Sequence, residues 1–187
     1  MRQLAFTTRF DRQMRVLLTK VGVCLPITPE EAKTQQIKLN RYFAIWDTGA
    51  TNSAITKKVA NELGLQPTGI AEVRYGSGAQ PTNTYLVNIS LPMGVMIGHV
   101  RVTEVQELMP DVNIPEDQQP QVLVGMDIIG MGDFAVTNVG GKTTLSFRIP
   151  SRTEIDFIPE SNENNVQEYG NREQRRALEA KKRKGLI

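Results

Sequence analysis

The segment 43–53, FAIWDTGATNS, carries the residues whose types and spacing are best suited to chemistry. An apolar run ends at Asp47, and small residues follow at once. Because Gly49 has no side chain, the backbone can turn tightly there and hold a partly buried carboxylate, whose protonation then depends on its neighbours. The same Asp-Thr-Gly sequence would also suit an Asx turn before a helix that begins near Ser53. The tripeptide alone therefore indicates either a catalytic carboxylate or a turn.

The composition excludes most other kinds of chemistry. The chain has one cysteine, Cys24, and one histidine, His99, so an internal disulfide, a Cys-based zinc site and a cluster of histidine ligands are ruled out. A Ser/His/Asp or Cys/His catalyst would have to be built around His99 alone. We therefore expect chemistry that rests on carboxylates, with no metal and no cofactor.

Two further motifs follow Asp47 along the chain. The segment 75–78, YGSG, is a glycine-rich turn between two strand-like runs, which suits a mobile hairpin. The segment 122–129, VLVGMDII, predicts a buried strand that ends at glycine and passes into a helical turn. Taken alone, Asp127 in this segment is typical of a turn or helix-capping residue.

These three motifs, in this order, resemble the retropepsin-like (retroviral-type) aspartic proteases, which carry Asp-Thr-Gly-Ala, a flap and a hydrophobic-hydrophobic-Gly segment. The resemblance covers residues 15–150 in layout, and its specific matches lie in the three short motifs. Ala50 after Gly49 is typical of the retroviral type rather than the pepsin type. The Gly-x-Asp ending at Asp127 is similar to cellular and bacterial members, whereas Met126 stands where viral members commonly carry arginine.

The resemblance implies an aspartic endopeptidase that hydrolyses extended peptide segments with a water activated by two aspartates. Since the chain contains one Asp-Thr-Gly, it also implies a homodimer in which Asp47 of each subunit supplies half of the site. The residues that it assigns are Asp47 as the catalytic residue; Thr48, Gly49 and Ala50 as support for the active site; Tyr75, Gly76, Ser77 and Gly78 as a flap that binds substrate; and Leu123, Val124, Gly125 and Asp127 as the hydrophobic-Gly segment along the groove.

The elements that must position these residues are mainly short strands. The chain consists of short apolar or alternating runs, rich in β-branched and aromatic residues, and these runs are separated by Gly, Pro and Asn. The predicted strands are Leu4–Phe10, Arg15–Leu25, Ile37–Trp46, Glu72–Tyr75, Thr84–Leu91, Val95–Glu104, Gln121–Gly125, Phe134–Asn138 and Thr143–Ile149. Two interruptions are helical: Ser53–Leu63, which ends at Gly64 as a C-cap, and a short turn after Asp127. We predict an all-β, small closed barrel of the retropepsin type with one or two short helices, active as a homodimer.

The composition divides the chain into four predicted parts: an N-terminal segment, 1–14; the protease domain, 15–150; an acidic linker, 151–170; and a basic tail, 171–187. The tail consists of strong helix formers, with Asn171 as a suitable N-cap, so we predict a helix there. No stretch reaches the roughly 18 uncharged apolar residues that a membrane span needs, and the N-terminus is too charged for a signal peptide. We therefore expect a cytoplasmic protein with no membrane partner.

Two other functions fit parts of the sequence. A module with the retropepsin fold could bind peptides with little or no catalysis, and the unusual segment 111–121 and the lack of arginine at Met126 leave this alternative open. A nucleic-acid-associated protein could act through the tail, where seven Lys or Arg residues stand against two Glu. No aromatic residue is interleaved there for base stacking, so a solvated appendage is the favoured interpretation of the tail.

Overall fold

The computed structural model describes residues 2–28, 30–34, 37–75, 78–109 and 115–185. The chain divides into two compact units, Met1–Ser151 and Arg152–Ile187. Among the described residues, the first unit contains ten β-strands, three short α-helices and one 3-10 helix, so it is mainly β as predicted.

Six strands of the first unit close into a barrel. In order around the barrel they are β2 (Leu18–Cys24), β3 (Asn40–Trp46), β8 (Val122–Val124), β4 (Ala54–Thr56), β7 (Met96–Val105) and β6 (Gly78–Ser90). Antiparallel pairing of β2 with β6, from Gly22 opposite Ser90 to Cys24 opposite Asn88, closes the ring. Strand β5 (Gly69–Tyr75) lies outside the ring as the hairpin partner of β6. The predicted small closed barrel is confirmed.

Three strands form a second sheet in the same unit, in the order β1 (Leu4–Arg9), β10 (Lys142–Ile149) and β9 (Asp133–Val139). Strand β1 comes from the predicted N-terminal segment and pairs with β10 along its whole length. The turn between β9 and β10 uses Gly140 and Gly141, whose φ values of 59° and 74° are ones that side chains disfavour.

The core lies inside the barrel and between the barrel and the second sheet. Strand β3 shows why it forms as a strand, since every second side chain from Tyr42 to Trp46 is buried. Trp46 lies against the rings of Phe6, Phe134 and Phe147, with ring centroids 5.6, 5.8 and 5.2 Å away. Its indole N–H donates to Thr19 Oγ1 at 2.8 Å. Trp46 is thus a core residue that ties the second sheet to the strand ending at Asp47.

The helices of the first unit are α1 (Glu31–Thr34), α2 (Lys57–Leu63), α3 (Met126–Ile129) and the 3-10 helix Glu116–Gln118. The predicted helix Ser53–Leu63 corresponds to α2, but its predicted start at Ser53 is wrong, because residues 54–56 form β4 instead. This strand is buried and pairs with β7 on one side and β8 on the other, so sheet packing overrides helix propensity there. The helix does end at Gly64, whose φ of 62° confirms the predicted C-cap.

The second unit contains two helices, α4 (Ile158–Tyr169) and α5 (Arg172–Arg183). Most of the segment predicted as a linker is therefore helical, and no side chain of α4 is fully buried. Asn171 caps α5 by accepting from the Gln174 N–H at 2.9 Å, while the Gln174 side chain accepts from the Asn171 N–H at the same distance. None of the helices in the described part of the chain is long and apolar enough to cross a membrane.

Candidate active site

Strand β3 places Asp47 at its C-terminal end, directly beside the end of β8. The two strands are parallel, with Trp46 opposite Val124. The Asp47 N–H donates to the Val124 carbonyl at 3.0 Å, which continues the ladder by one bond beyond the strand. Asp47 is half-buried. The position of its backbone is therefore set by two strands of the barrel rather than by a free loop.

A tight turn follows Asp47 and uses its side chain. The Gly49 N–H donates to Asp47 Oδ1 at 2.8 Å, and the Ala50 N–H donates to the Asp47 carbonyl at 3.3 Å. Within the described residues, the other carboxylate oxygen, Oδ2, has no hydrogen-bond partner. Thr48 and Gly49 are exposed at the tip of the turn, and Ala50 is half-buried. The turn, which is one of the two alternatives from the sequence, is therefore present, and the catalytic role of Asp47 stays a prediction.

Gly125 lies against the loop that carries Asp47. We call residues 47–53 the Asp47 loop and residues 124–128, where β8 passes into α3, the Gly125 corner. A Cβ atom added to Gly125 would lie 2.7 Å from the carbonyl carbon and oxygen of Asn52 and 3.0 Å from the Ala50 oxygen. No side chain fits at this position without moving the loop. Val124 and Gly125 are buried, and Leu123 is half-buried.

The first residues of α3 donate to the Asp47 loop. The Met126 N–H donates to the Ala50 carbonyl at 2.8 Å, and the Asp127 N–H donates to the Thr51 carbonyl at 3.1 Å. These N–H groups have no partner inside a helix that starts there, so the loop supplies the acceptors. The backbone of the corner and the backbone of the loop therefore form one hydrogen-bonded unit.

The Asp127 carboxylate bonds to Ser53, which is fully buried. Asp127 Oδ1 accepts from Ser53 Oγ at 2.7 Å and from the Ile128 N–H at 3.0 Å, and Oδ2 accepts from the Ser53 N–H at 3.0 Å. The N-cap position of α3 is Gly125, so Asp127 lies in the first turn of the helix rather than at its cap. Ser53 was not predicted as a site residue. The one signal for it is a polar residue directly before the apolar pair Ala54 and Ile55, which must find a partner if it is buried.

The hairpin of β5 and β6 contains the segment predicted as the flap. Its strands are antiparallel, and Tyr75 lies opposite Gly78. Gly76 and Ser77 lie outside the described residues, as do residues 111–114 of the unusual segment 111–121. The binding role of Tyr75, Gly76, Ser77 and Gly78 stays a prediction.

The model of an aspartyl protease family matches residues 37–128. This span contains the Asp47 loop, the hairpin of β5 and β6, and most of α3. The match confirms the resemblance that the sequence motifs predict, and it supports a protease function at the level of the family. No curated protein shows significant sequence similarity to the chain.

Several solved structures are similar to the chain. A retropepsin-like aspartic protease from Rickettsia conorii is 15% identical over 79% of this chain and 96% of its own, with a TM-score of 0.43. The EIAV protease in complex with an inhibitor is 18% identical over 62% of this chain and 86% of its own, with a TM-score of 0.41. The retroviral protease-like domain of Ddi1 from Leishmania major is 17% identical over 76% of this chain and 99% of its own, with a TM-score of 0.35.

Proposed function

We propose that this chain, whose residues 37–128 match an aspartyl protease family, is an aspartic endopeptidase with Asp47 as its catalytic residue. The observation that carries the proposal is the environment of the Asp47 carboxylate. One oxygen is held by the Gly49 N–H, and the other has no partner among the described residues. A carboxylate that is oriented by the chain and still has an oxygen available is suited to accept a proton from water.

The proposed enzyme is a homodimer, because one chain supplies one Asp-Thr-Gly. A two-fold axis that passes beside the Asp47 loop would bring two copies of Asp47 together. Two carboxylates about 3 Å apart cannot both be ionised, so one keeps a proton and the other acts as the base. The ionised carboxylate takes a proton from a water, whose oxygen attacks the peptide carbonyl, and the protonated partner supports the developing oxyanion. The C–N bond then breaks as the leaving amine takes a proton from the pair of carboxyl groups.

The residues around Asp47 have separate roles in this proposal. Thr48 is exposed beside Asp47 and would hydrogen-bond across the two-fold axis. Gly49 and Ala50 keep the turn compact, so that two copies of the loop can meet. Residues 75–78 would close over an extended peptide whose backbone pairs with the hairpin of β5 and β6, as in strand addition. Leu123, which is half-buried, would lie along the apolar wall of the groove, whereas Val124 is fully buried in the core and cannot contact a substrate.

The proposal is tested by Asp47→Asn in a cleavage assay on a denatured protein or a peptide library. The amide has the shape of the carboxylate but cannot act as the base, so cleavage should fall by at least about 10³-fold. Asp156→Asn is the matched control, because Asp156 lies in the second unit, where its exposed carboxylate accepts from the Ile158 N–H at 2.9 Å. Cleavage by Asp47→Asn at the wild-type rate would refute the assignment. Peptide binding without cleavage by the wild type would favour the peptide-binding module.

A further inference from the structure

Ser53 and Asp127 form a fully paired polar contact between the Asp47 loop and the Gly125 corner. The Ser53 hydroxyl donates to Asp127 and accepts from the Gly125 N–H at 3.1 Å. Asp127 accepts three hydrogen bonds, two of them from Ser53. Bonds to an ionised carboxylate are stronger than bonds between neutral groups, so this pair is well suited to hold two segments together. We call Ser53 and Asp127 the clamp.

Among the described residues, six hydrogen bonds connect the loop to the corner. Three of them are backbone hydrogen bonds: Asp47 to Val124, Met126 to Ala50, and Asp127 to Thr51. The other three depend on side chains of the clamp: the Ser53 N–H and hydroxyl donate to the Asp127 carboxylate, and the Ser53 hydroxyl accepts from the Gly125 N–H. The clamp lies at the end of the loop farthest from Asp47 in sequence, where the chain enters β4. The clamp is therefore the connection that a substitution of Ser53 or Asp127 can remove, whereas the backbone hydrogen bonds do not depend on side chains.

A path of hydrogen bonds and close backbone packing connects the clamp to Asp47. The clamp holds Ser53 against Gly125, which has no room to spare beside Asn52 and Ala50. Ala50 in turn donates to the carbonyl of Asp47 and accepts from Met126. If the clamp is released, residues 50–53 can move away from the corner, and the turn that orients the carboxylate can move with them.

We propose that Asp127 is a positioning residue that acts through Ser53 to hold the Asp47 loop in its reactive geometry. This inference rests on the proposed function. Asp127 takes no part in the proton transfers, because its carboxylate oxygens bond to Ser53 and Ile128. Its loss therefore lowers kcat rather than weakening peptide binding. Displacing a reacting group by about 1 Å can lower the rate about 100-fold, which sets the size of the expected effect.

The kinetic test compares Asp127→Ala, Asp127→Asn and Ser53→Ala in the full chain. Asp127→Ala should lower kcat about 100-fold and leave KM within about threefold of the wild type. Asp127→Asn keeps one acceptor oxygen for Ser53 and should recover part of the loss, to about 10-fold below the wild type. The double variant of Ser53→Ala and Asp127→Ala should lose less than the sum of the two single effects in free energy, because both remove the same contact. Asp156→Ala is the matched control and should leave kcat unchanged.

Hydrogen exchange supplies a second readout that does not need activity. In Asp127→Ala the amides of Asp47 and Met126 should exchange at least about 10-fold faster, while amides of β10 keep their wild-type rates. If the wild type cleaves no substrate, the proposed function fails, and the exchange rates still decide whether the clamp holds the loop. Wild-type kcat in Asp127→Ala of an active enzyme would overturn the positioning role. Unchanged exchange at Asp47, or equal acceleration across β10, would also overturn it.

Discussion

Two aspartates lie at the ends of neighbouring parallel strands, and their carboxylates differ in the number of hydrogen bonds that they accept. Asp47 follows β3 directly, and Asp127 follows β8 after Gly125 and Met126. The Asp127 carboxylate accepts three hydrogen bonds from the protein. Within the described part of the chain, the Asp47 carboxylate accepts one, from the Gly49 N–H. A carboxylate whose oxygens are all engaged stabilises structure, whereas one with a free oxygen can exchange protons with a substrate water.

The residues that follow each aspartate explain the difference. Asp127 stands in the first turn of α3, so its carboxylate is close to buried Ser53 and to the N–H of Ile128, which donates to the Gly125 carbonyl as well. Asp47 stands before a turn whose tip is exposed and contains a glycine. Among the described residues, Gly49 is accordingly the one donor to the Asp47 carboxylate. In the portion of the chain that the structure describes, both oxygens of Asp127 therefore have hydrogen-bond partners, whereas Asp47 has a partner for one oxygen.

We expect the largest loss of kcat from Gly125→Ala, because the added methyl forces apart the two segments that carry Asp47 and Asp127. The added methyl would lie 2.7 Å from the Asn52 backbone, so the Asp47 loop must shift. We expect kcat to fall more than about 100-fold. We also expect the free energy of unfolding to fall by about 1–3 kcal/mol, as for other overpacked positions. Steady-state kinetics and urea unfolding measure the two effects.

Gly98→Ala is the matched control for this substitution. Its methyl would lie 3.6 Å from Asn88 Oδ1, an ordinary contact distance, and it is on β7 away from both aspartates. Both kcat and the free energy of unfolding should stay close to the wild-type values. A Gly125→Ala enzyme as active as the control would show that the Asp47 loop does not depend on the corner.

We expect a smaller loss of kcat from Gly49→Ala, which affects the Asp47 carboxylate and leaves the Asp127 carboxylate in place. Its methyl would lie 3.2 Å from Asp47 Oδ1, closer than most real contacts, so the carboxylate must rotate or move by a few tenths of an ångström. We expect kcat to fall about 10-fold. The free energy of unfolding should change by less than about 0.5 kcal/mol, because Gly49 is exposed. Unchanged kcat together with unchanged stability would mean that the orientation of Oδ1 is not critical.

The two aspartates also differ in what the sequence reveals about them. The place of Asp47 could be predicted because its setting is local: an apolar strand, then Asp-Thr-Gly, all within a few residues. The partner of Asp127 could not be predicted, because Ser53 lies 74 residues earlier in the chain. Only the barrel topology, with β8 between β3 and β4, brings them together. Contacts that form only when a sheet closes are hard to predict from the local pattern of residue types in the sequence.

The strand β4 was missed for a related reason. Each of the nine predicted runs overlaps a strand, whereas residues 54–56 were assigned to the helix that follows them. A three-residue strand is too short to show alternation, and all three of its residues are buried. Its pairing partners, β7 and β8, come from distant parts of the chain. The end of the helix at Gly64 was predicted correctly, because a glycine in the left-handed region is a local signal.

The central claim, that one active site needs Asp47 from two copies of the chain, is tested most directly by mixing subunits. Wild-type protein and Asp47→Asn are combined in equal amounts, well above the concentration at which dimers dissociate, and are left until subunits have exchanged. Random pairing gives wild-type dimers as about a quarter of all dimers. The account predicts that cleavage per total protein falls to about one quarter of the all-wild-type value. A fall to one half, as expected for sites complete within one chain, would contradict it.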